Sequence, residues 1–176
     1  DMISNGRFEL GVGYGWCVEE MRNHGLDYKK RRAILRENIL LCRELWTQDE
    51  ASFSGETIQF EKSWAWPKPV QKRLPVVMGG AAGPKTAAHI AEFCDGWMPL
   101  GGAYDFDGGK AEIAKACEAI GRDPASVSIG MFYAMGFDAD QVKEHSDKGA
   151  VRGILPLPSE GPDVVLKLLD DYAKHL

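Results

Sequence analysis

The segment Leu74-Pro-Val-Val-Met-Gly-Gly-Ala-Ala-Gly-Pro84 decides how the rest of the chain is expected to fold. It opens with a short apolar run, residues 74–78, which favours a strand that is buried on both faces. Residues 79–83 are glycine and alanine only, and we call them the glycine turn. Pro84 then begins a helical pattern, because proline is favoured at the first helical position. The segment therefore predicts a strand, a tight turn and the N-terminus of a helix.

The glycine turn is a candidate phosphate site. The first amides of a helix have no partner inside the helix, and the helix dipole places positive potential at the same end. Glycine also lets a phosphate approach the backbone closely, since no Cβ is in the way. The candidate donors are the amides of Gly79, Gly80, Ala81, Ala82 and Gly83. Alternatively, the glycines serve only to reverse the chain between a strand and a helix.

The whole chain alternates between strand and helix patterns. Further strands are predicted at residues 7–13, 95–100, 127–135 and 150–155, and further helices at residues 28–46, 110–120, 138–148 and from Pro162 onwards. Such alternation predicts parallel strands that are joined by crossover helices, which is the α/β class. A single domain over residues 1–176 is the expected organisation.

Residues 51–70 interrupt this alternation. Residues 53–60 alternate loosely around Gly55 and predict a small hairpin. Trp64 and Trp66 follow in an extended, proline-containing stretch. The two tryptophans form either a local mini-core or part of a ligand wall, and the mini-core is the favoured interpretation.

Composition argues against several classes of partner. The chain of 176 residues has 21 Lys and Arg against 26 Asp and Glu, for a net charge of −5. This mild acidity argues against nucleic acid and membrane surfaces, and no apolar stretch reaches spanning length. The four cysteines and four histidines are scattered, so no metal site is predicted and a reducing cytoplasm is the expected location.

Several short motifs, taken in order, resemble the luciferase-like monooxygenase family. They include Ser4-Asn-Gly-Arg-Phe-Glu-Leu-Gly-Val-Gly-Tyr-Gly-Trp16, Pro67-Lys-Pro-Val-Gln71, Pro75-Val-Val-Met-Gly-Gly80 and Asp95-Gly-Trp97. The sequence Gly121-Arg-Asp-Pro124 before a strand is similar to the branch of the family that uses the deazaflavin coenzyme F420. The resemblance extends over essentially the whole chain, which makes it more specific than any one motif.

The resemblance implies a (β/α)8 barrel that binds FMN or F420 at the carboxyl ends of its strands. In the family the cofactor phosphate sits at the strand, Gly-Gly and helix unit, which here corresponds to Gly79, Gly80, Ala81, Ala82 and Gly83. Gly13 and Trp97 are implied to line the same face. The cofactor carries the chemistry, either hydride transfer or oxygenation of a small organic substrate.

Family members are longer than this chain, and the resemblance implies that it holds barrel strands four to eight and lacks strands one to three. Five strands of a barrel would leave two open edges and an exposed apolar interior. We therefore expect a homo-oligomer, or association with a chain that carries the missing half-barrel, and not a stable monomer.

The sequence offers no residue that we assign as a general base. Glu19, Glu20, His24 and Asp95 are all interpreted as structural. Two alternatives to the oxidoreductase therefore stay open: a non-catalytic flavin-binding or assembly protein, and an inactive truncated remnant without cofactor.

Overall fold

The computed structural model describes residues 1–175, and within them seven strands and six α-helices occur. The strands are β1 (Leu10–Val12), β2 (Ala51–Ser54), β3 (Gln59–Ser63), β4 (Val76–Gly79), β5 (Gly96–Met98), β6 (Ser128–Phe132) and β7 (Arg152–Ile154). The helices are α1 (Val18–Asn23), α2 (Arg31–Thr47), α3 (Pro84–Phe93), α4 (Phe106–Ala119), α5 (Ala139–Asp147) and α6 (Pro162–Ala173).

Five of the strands form one parallel sheet in the order β1-β4-β5-β6-β7. Helices α3, α4 and α5 each connect two neighbouring strands of this sheet, and α2 lies in the connection from β1 to β4. Parallel strands with helical crossovers are the arrangement that the strand and helix alternation predicts. The α/β prediction is confirmed.

The two faces of the sheet have different environments. Val76, Met78, Trp97 and Met131 point towards the helices and are at most 1% exposed. They pack with apolar residues of α3 and α4 in the main core. The opposite side, which we call the concave face, carries the partly exposed side chains of the alternate strand positions, namely Val77, Met98, Phe132 and Ile154.

Asp95, just before β5, holds α2 against the start of the sheet. Its carboxylate accepts hydrogen bonds from Arg43 Nη2 at 2.5 Å, Arg73 Nε at 2.5 Å and the Val76 amide at 2.9 Å. Burial by itself would raise the pKa of this carboxyl, but these three donors outweigh it and lower the pKa. The interpretation of Asp95 as structural agrees with these contacts.

The hairpin is held in place by one side chain of α2. Strands β2 and β3 pair antiparallel, as the pattern of residues 53–60 predicts. The Glu37 carboxylate accepts hydrogen bonds from the amides of Glu56, Thr57 and Ile58 and from the Thr57 hydroxyl. The Thr57 hydroxyl bond and these amides lower the pKa of Glu37 to about 2. A carboxylate that is 6% exposed is thus fully paired.

The mini-core interpretation of the two tryptophans is wrong. Trp64 and Trp66 are 75% and 59% exposed. The Trp66 ring instead lies 5.0 Å from Lys68 Nζ, and that ammonium donates to the carbonyls of Leu45 and Gln48 at the C-terminus of α2. The side chain of Lys68 reaches helix carbonyls that have no partner within the helix, so the segment follows the helix end rather than forming a core of its own.

Candidate functional site

The carboxyl ends of β1 and β4 meet at one edge of the sheet. The two strands pair in parallel with Val12 opposite Met78, so Gly13 follows β1 where Gly79 ends β4. A Cβ added to Gly79 would lie 3.5 Å from the Val12 carbonyl oxygen, and one added to Gly13 would meet no atom within 4 Å. Gly13 and the glycine turn therefore lie on neighbouring strands at the same edge.

The glycine turn leads directly into α3, as predicted from Pro84. Gly83 is the N-cap residue, and its carbonyl accepts the first helical bonds, from Thr86 and Ala87. Within residues 1–175, none of the amides of Gly80, Ala81, Ala82 and Gly83 donates to a backbone carbonyl. Gly80 adopts φ +99°, a left-handed conformation that disfavours any residue with a Cβ. These four backbone amides are therefore unpaired donors that lie next to the N-terminus of α3, the positive end of its dipole.

Two cavities flank the glycine turn. On the concave face, a hollow of about 420 Å³ is lined mostly by apolar strand residues: Glu9, Gly11, Val12, Val77, Gly79, Met98, Phe132, Arg152 and Ile154. On the helix side, a cleft of about 330 Å³ separates the turn from the first residues of α4, and its lining comprises Ala81, Ala82, Gly83, Asp105, Gly108, Gly109 and Glu112. The turn therefore borders an apolar space at one end and a polar one at the other.

Trp97 approaches this edge on the helix side of the sheet and not on the concave face. Its side chain is fully buried on the helix side of β5. The indole Nε1 donates to the Gly80 carbonyl at 2.8 Å, and the ring stacks on Phe106 with centroids 5.9 Å apart. Contact between Trp97 and a cofactor stays a prediction, and its observed contact is with the glycine turn itself.

A second group of side chains ties the loop after β1 to the first turns of α3. The Tyr14 hydroxyl and His89 Nδ1 are hydrogen-bonded at 2.9 Å. The Arg32 guanidinium lies 4.2 Å from the centre of the Tyr14 ring and donates to the Thr86 hydroxyl at 3.2 Å. Burial raises the pKa of Tyr14 and lowers the pKa of His89, so both rings are neutral near pH 7.

Sequence reasoning did not find this second group. Its members come from the loop after β1, from α2 and from α3, and no spacing in the chain connects them. His89 in particular carries no ligand motif, and its partner Tyr14 is 75 residues away. Only the docking of α2 and α3 on the same side of the sheet brings the four side chains together.

Comparison with known proteins identifies the family. A model of the luciferase-like monooxygenases matches residues 1–162. The chain belongs to the luciferase-like monooxygenase family. An uncharacterized protein of Mycobacterium tuberculosis is 35% identical over 176 residues, which cover all of this chain and 59% of that protein. The family member described here thus spans less than two thirds of the length of this relative.

A further relative and a solved structure are also similar to this chain. The F420-dependent glucose-6-phosphate dehydrogenase of Amycolatopsis mediterranei is 36% identical over 104 residues, which cover 57% of this chain and 31% of that enzyme. The crystal structure of a monooxygenase from Streptomyces bottropensis superimposes with a TM-score of 0.66 at 19% identity, and covers 99% of this chain and 54% of that one. This likeness concerns the fold, and the prediction of a partial barrel is confirmed.

Two kinds of feature are absent from the described part of the chain. Across residues 1–175, none of the helices has the length and apolar character needed to cross a bilayer. In the same range, no three His, Cys, Asp or Glu side chains come together as a group that would hold a metal ion.

Proposed function

We propose that this chain supplies the phosphate-binding part of an F420- or FMN-dependent oxidoreductase. The observation that carries the proposal is the position of the glycine turn, which borders the apolar hollow of the concave face at Gly79. The amides that have no partner within residues 1–175, those of residues 80–83, follow directly after Gly79 and lead into the polar cleft. A flavin or deazaflavin nucleotide needs both surfaces, because its ring system is flat and largely apolar while its phosphate is anionic. The family relationship and the F420-dependent relative support the same class of cofactor.

The residues of the site fit such a cofactor. The amides of Gly80, Ala81, Ala82 and Gly83 would hold the phosphate, and Val77 and Met98 would contact the ring. A bound flavin or deazaflavin supplies hydride transfer, and a flavin also supplies oxygenation. The contribution of this chain is to anchor the phosphate and to exclude water from one side of the ring.

The opposite wall of the cleft limits where an anion is bound. It carries the carboxylates of Asp105 and Glu112. Asp105 is engaged as the N-cap of α4, where Oδ1 accepts from the Gly108 amide at 2.9 Å. These negative charges disfavour a phosphate near α4 and favour one that lies against the glycine turn.

We also propose that the concave face is covered in the functional protein. The hollow exposes apolar side chains, including Phe132 at 38% and Ile154 at 42%, and β1 and β7 each have an unpaired edge in the five-stranded sheet. A second copy of the chain, or a chain that carries the remaining barrel strands, would satisfy both the apolar surface and the strand edges.

The variant Gly80→Asp tests the phosphate assignment. It places a carboxylate and a Cβ in the glycine turn, so we expect F420 and FMN to bind at least about tenfold more weakly in fluorescence titrations. Gly121→Asp is the matched control, since Gly121 also has a positive φ of +72° and open space around its Cα but lies at the far end of α4. Both variants are compared with the wild type by thermal unfolding.

Unchanged affinity in Gly80→Asp would show that the phosphate lies elsewhere. A wild-type protein that binds neither F420 nor FMN would contradict the proposal and favour a remnant without cofactor. Where a cofactor binds, oxidation of its reduced form in the presence of an acceptor separates an oxidoreductase from a non-catalytic binding protein.

A further inference from the structure

We propose that Trp97 is a positioning residue for the glycine turn. Gly109 makes this possible because it has no side chain and so leaves room for the indole ring. The inference rests on the proposed function, because it concerns how the phosphate donors are aimed. The buried Trp97 side chain would thus affect cofactor affinity without touching the cofactor.

The first support is the hydrogen bond from the indole to the turn. The Trp97 side chain is 0% exposed, and a buried indole N–H needs an acceptor. Its acceptor is the Gly80 carbonyl oxygen at 2.8 Å. The residue that offers this carbonyl has φ +99°, so the bond holds the one turn residue with a left-handed backbone.

Because the peptide unit is planar, the hydrogen bond to the Gly80 carbonyl also fixes the direction of the Ala81 N–H. The Gly80 carbonyl and the Ala81 amide belong to one trans peptide plane, in which C=O and N–H point in opposite directions. Because Trp97 draws the carbonyl towards the buried core, the Ala81 N–H is directed away from the core. An N–H with that direction is available to an anion at the turn, and within residues 1–175 it has no other acceptor.

The second support is the contact between the indole ring and the opposite wall of the cleft. A Cβ added to Gly109 would lie 2.4 Å from Trp97 Cη2 and 2.8 Å from Cζ2, which no side chain would tolerate without displacing the ring. The ring also stacks on Phe106, the first residue of α4. Trp97 thus touches both walls of the cleft: the glycine turn through Nε1 and the first turns of α4 through its six-membered ring.

A role in core packing alone would have a different signature. Loss of packing lowers stability and weakens every ligand of the folded protein to a similar degree. Loss of a correctly directed amide weakens only ligands that carry a phosphate. The difference in affinity between FMN and riboflavin, which share a ring system and differ in the phosphate, therefore isolates the positioning role.

The experiment measures FMN and riboflavin affinities of the full chain for wild type, Trp97→Phe and Gly109→Ala. Trp97→Phe keeps an aromatic ring and removes the N–H, while Gly109→Ala keeps the indole and displaces it. We expect each variant to lose about tenfold in FMN affinity and less than about twofold in riboflavin affinity, as for a lost hydrogen bond to the phosphate. Met131→Ala, a cavity variant in the same core, is the control and should retain the wild-type FMN preference while unfolding at lower temperature.

The outcomes separate this inference from the proposed function. A wild-type protein that binds FMN and riboflavin equally well would overturn the phosphate site itself. For a wild type that binds only F420, the same comparison is made between F420 and its deazaflavin chromophore without the phosphate. A wild-type preference that survives in both Trp97→Phe and Gly109→Ala would overturn the positioning role and leave the phosphate site in place. If Trp97→Phe does not fold, Gly109→Ala decides between these outcomes, because it retains the indole donor.

Discussion

Arg152 at the start of β7 pairs with Glu9, the residue before β1, although the two strands are the opposite edges of the sheet. Arg152 Nη2 donates to Glu9 Oε1 at 3.0 Å, and Nη1 donates to the other carboxylate oxygen. In a flat sheet, strands four positions apart would be separated by about 19 Å, which is too far for these side chains to meet. The ion pair therefore reports a sheet that is curled across the hollow, as in part of a barrel.

A double-mutant cycle of Glu9→Gln and Arg152→Gln measures this curvature in solution. Both side chains are partly exposed, so we expect a coupling free energy of only about 0.5–1 kcal/mol. Urea unfolding of the wild type, the two single variants and the double variant gives this coupling, which should weaken in 1 M salt. Additive effects of the two substitutions would mean that the Glu9–Arg152 ion pair does not stabilise the fold in solution.

Glu37→Gln should remove an acid-sensitive part of the stability. The folded pKa of Glu37 is about 2 against an ordinary value of 4.5, because the Thr57 hydroxyl and three amides donate to the carboxylate. A depressed pKa contributes stability that is complete above pH 4.5 and is lost as the pH falls towards 2. The urea midpoints of wild type and variant should therefore differ most above pH 4.5 and converge towards pH 2.

The matched control for this prediction is Glu44→Gln on the exposed side of the same helix, which should leave the pH dependence unchanged. A variant Glu37→Gln with the wild-type acid profile would show that the hairpin is held by other contacts.

Asp95→Asn should destabilise the fold more than loss of its exposed partner Arg73. The carboxylate is 20% exposed and accepts hydrogen bonds from Arg43, Arg73 and the Val76 amide. We expect a cost of about 2 kcal/mol, below the range for a fully buried pair. Arg73, at 59% exposed, should contribute less than about 1 kcal/mol when changed to Gln. Denaturant unfolding that ranks Arg73→Gln as the more damaging change would contradict this arrangement.

The exposed concave face predicts association. Light scattering at micromolar concentration should detect species larger than the 19.4 kDa monomer. Phe132→Asp places a charge in the hollow and should shift the population towards monomer, whereas Ile120→Asp, at an exposed position on the far end of α4, should not. A single sharp monomeric peak for the wild type would rule out this mode of association.

The order of strands and helices could be predicted from the sequence because each signal is local. The apolar run at residues 74–78, Pro84 as the first residue of α3 and the apolar stripe of α2 each report the environment of one element. The sequence does not predict helix α1, because four of its six residues are polar and none is buried. The exposed Trp64 and Trp66 were misinterpreted because aromatic residues usually indicate a core, whereas here Lys68 draws the segment along the end of α2.

The sequence by itself determined the glycine turn, its position between strand and helix, and the family to which the chain belongs. The turn and its position depend on backbone conformation, which a few adjacent residues control, and the family is recognised from short motifs in sequence order. Only the tertiary structure decided that Trp97 lies beneath the turn, that Tyr14 meets His89 and that Glu9 meets Arg152. Such contacts join residues from distant elements, and they depend on the curl of the sheet and the docking of helices, which no local pattern encodes.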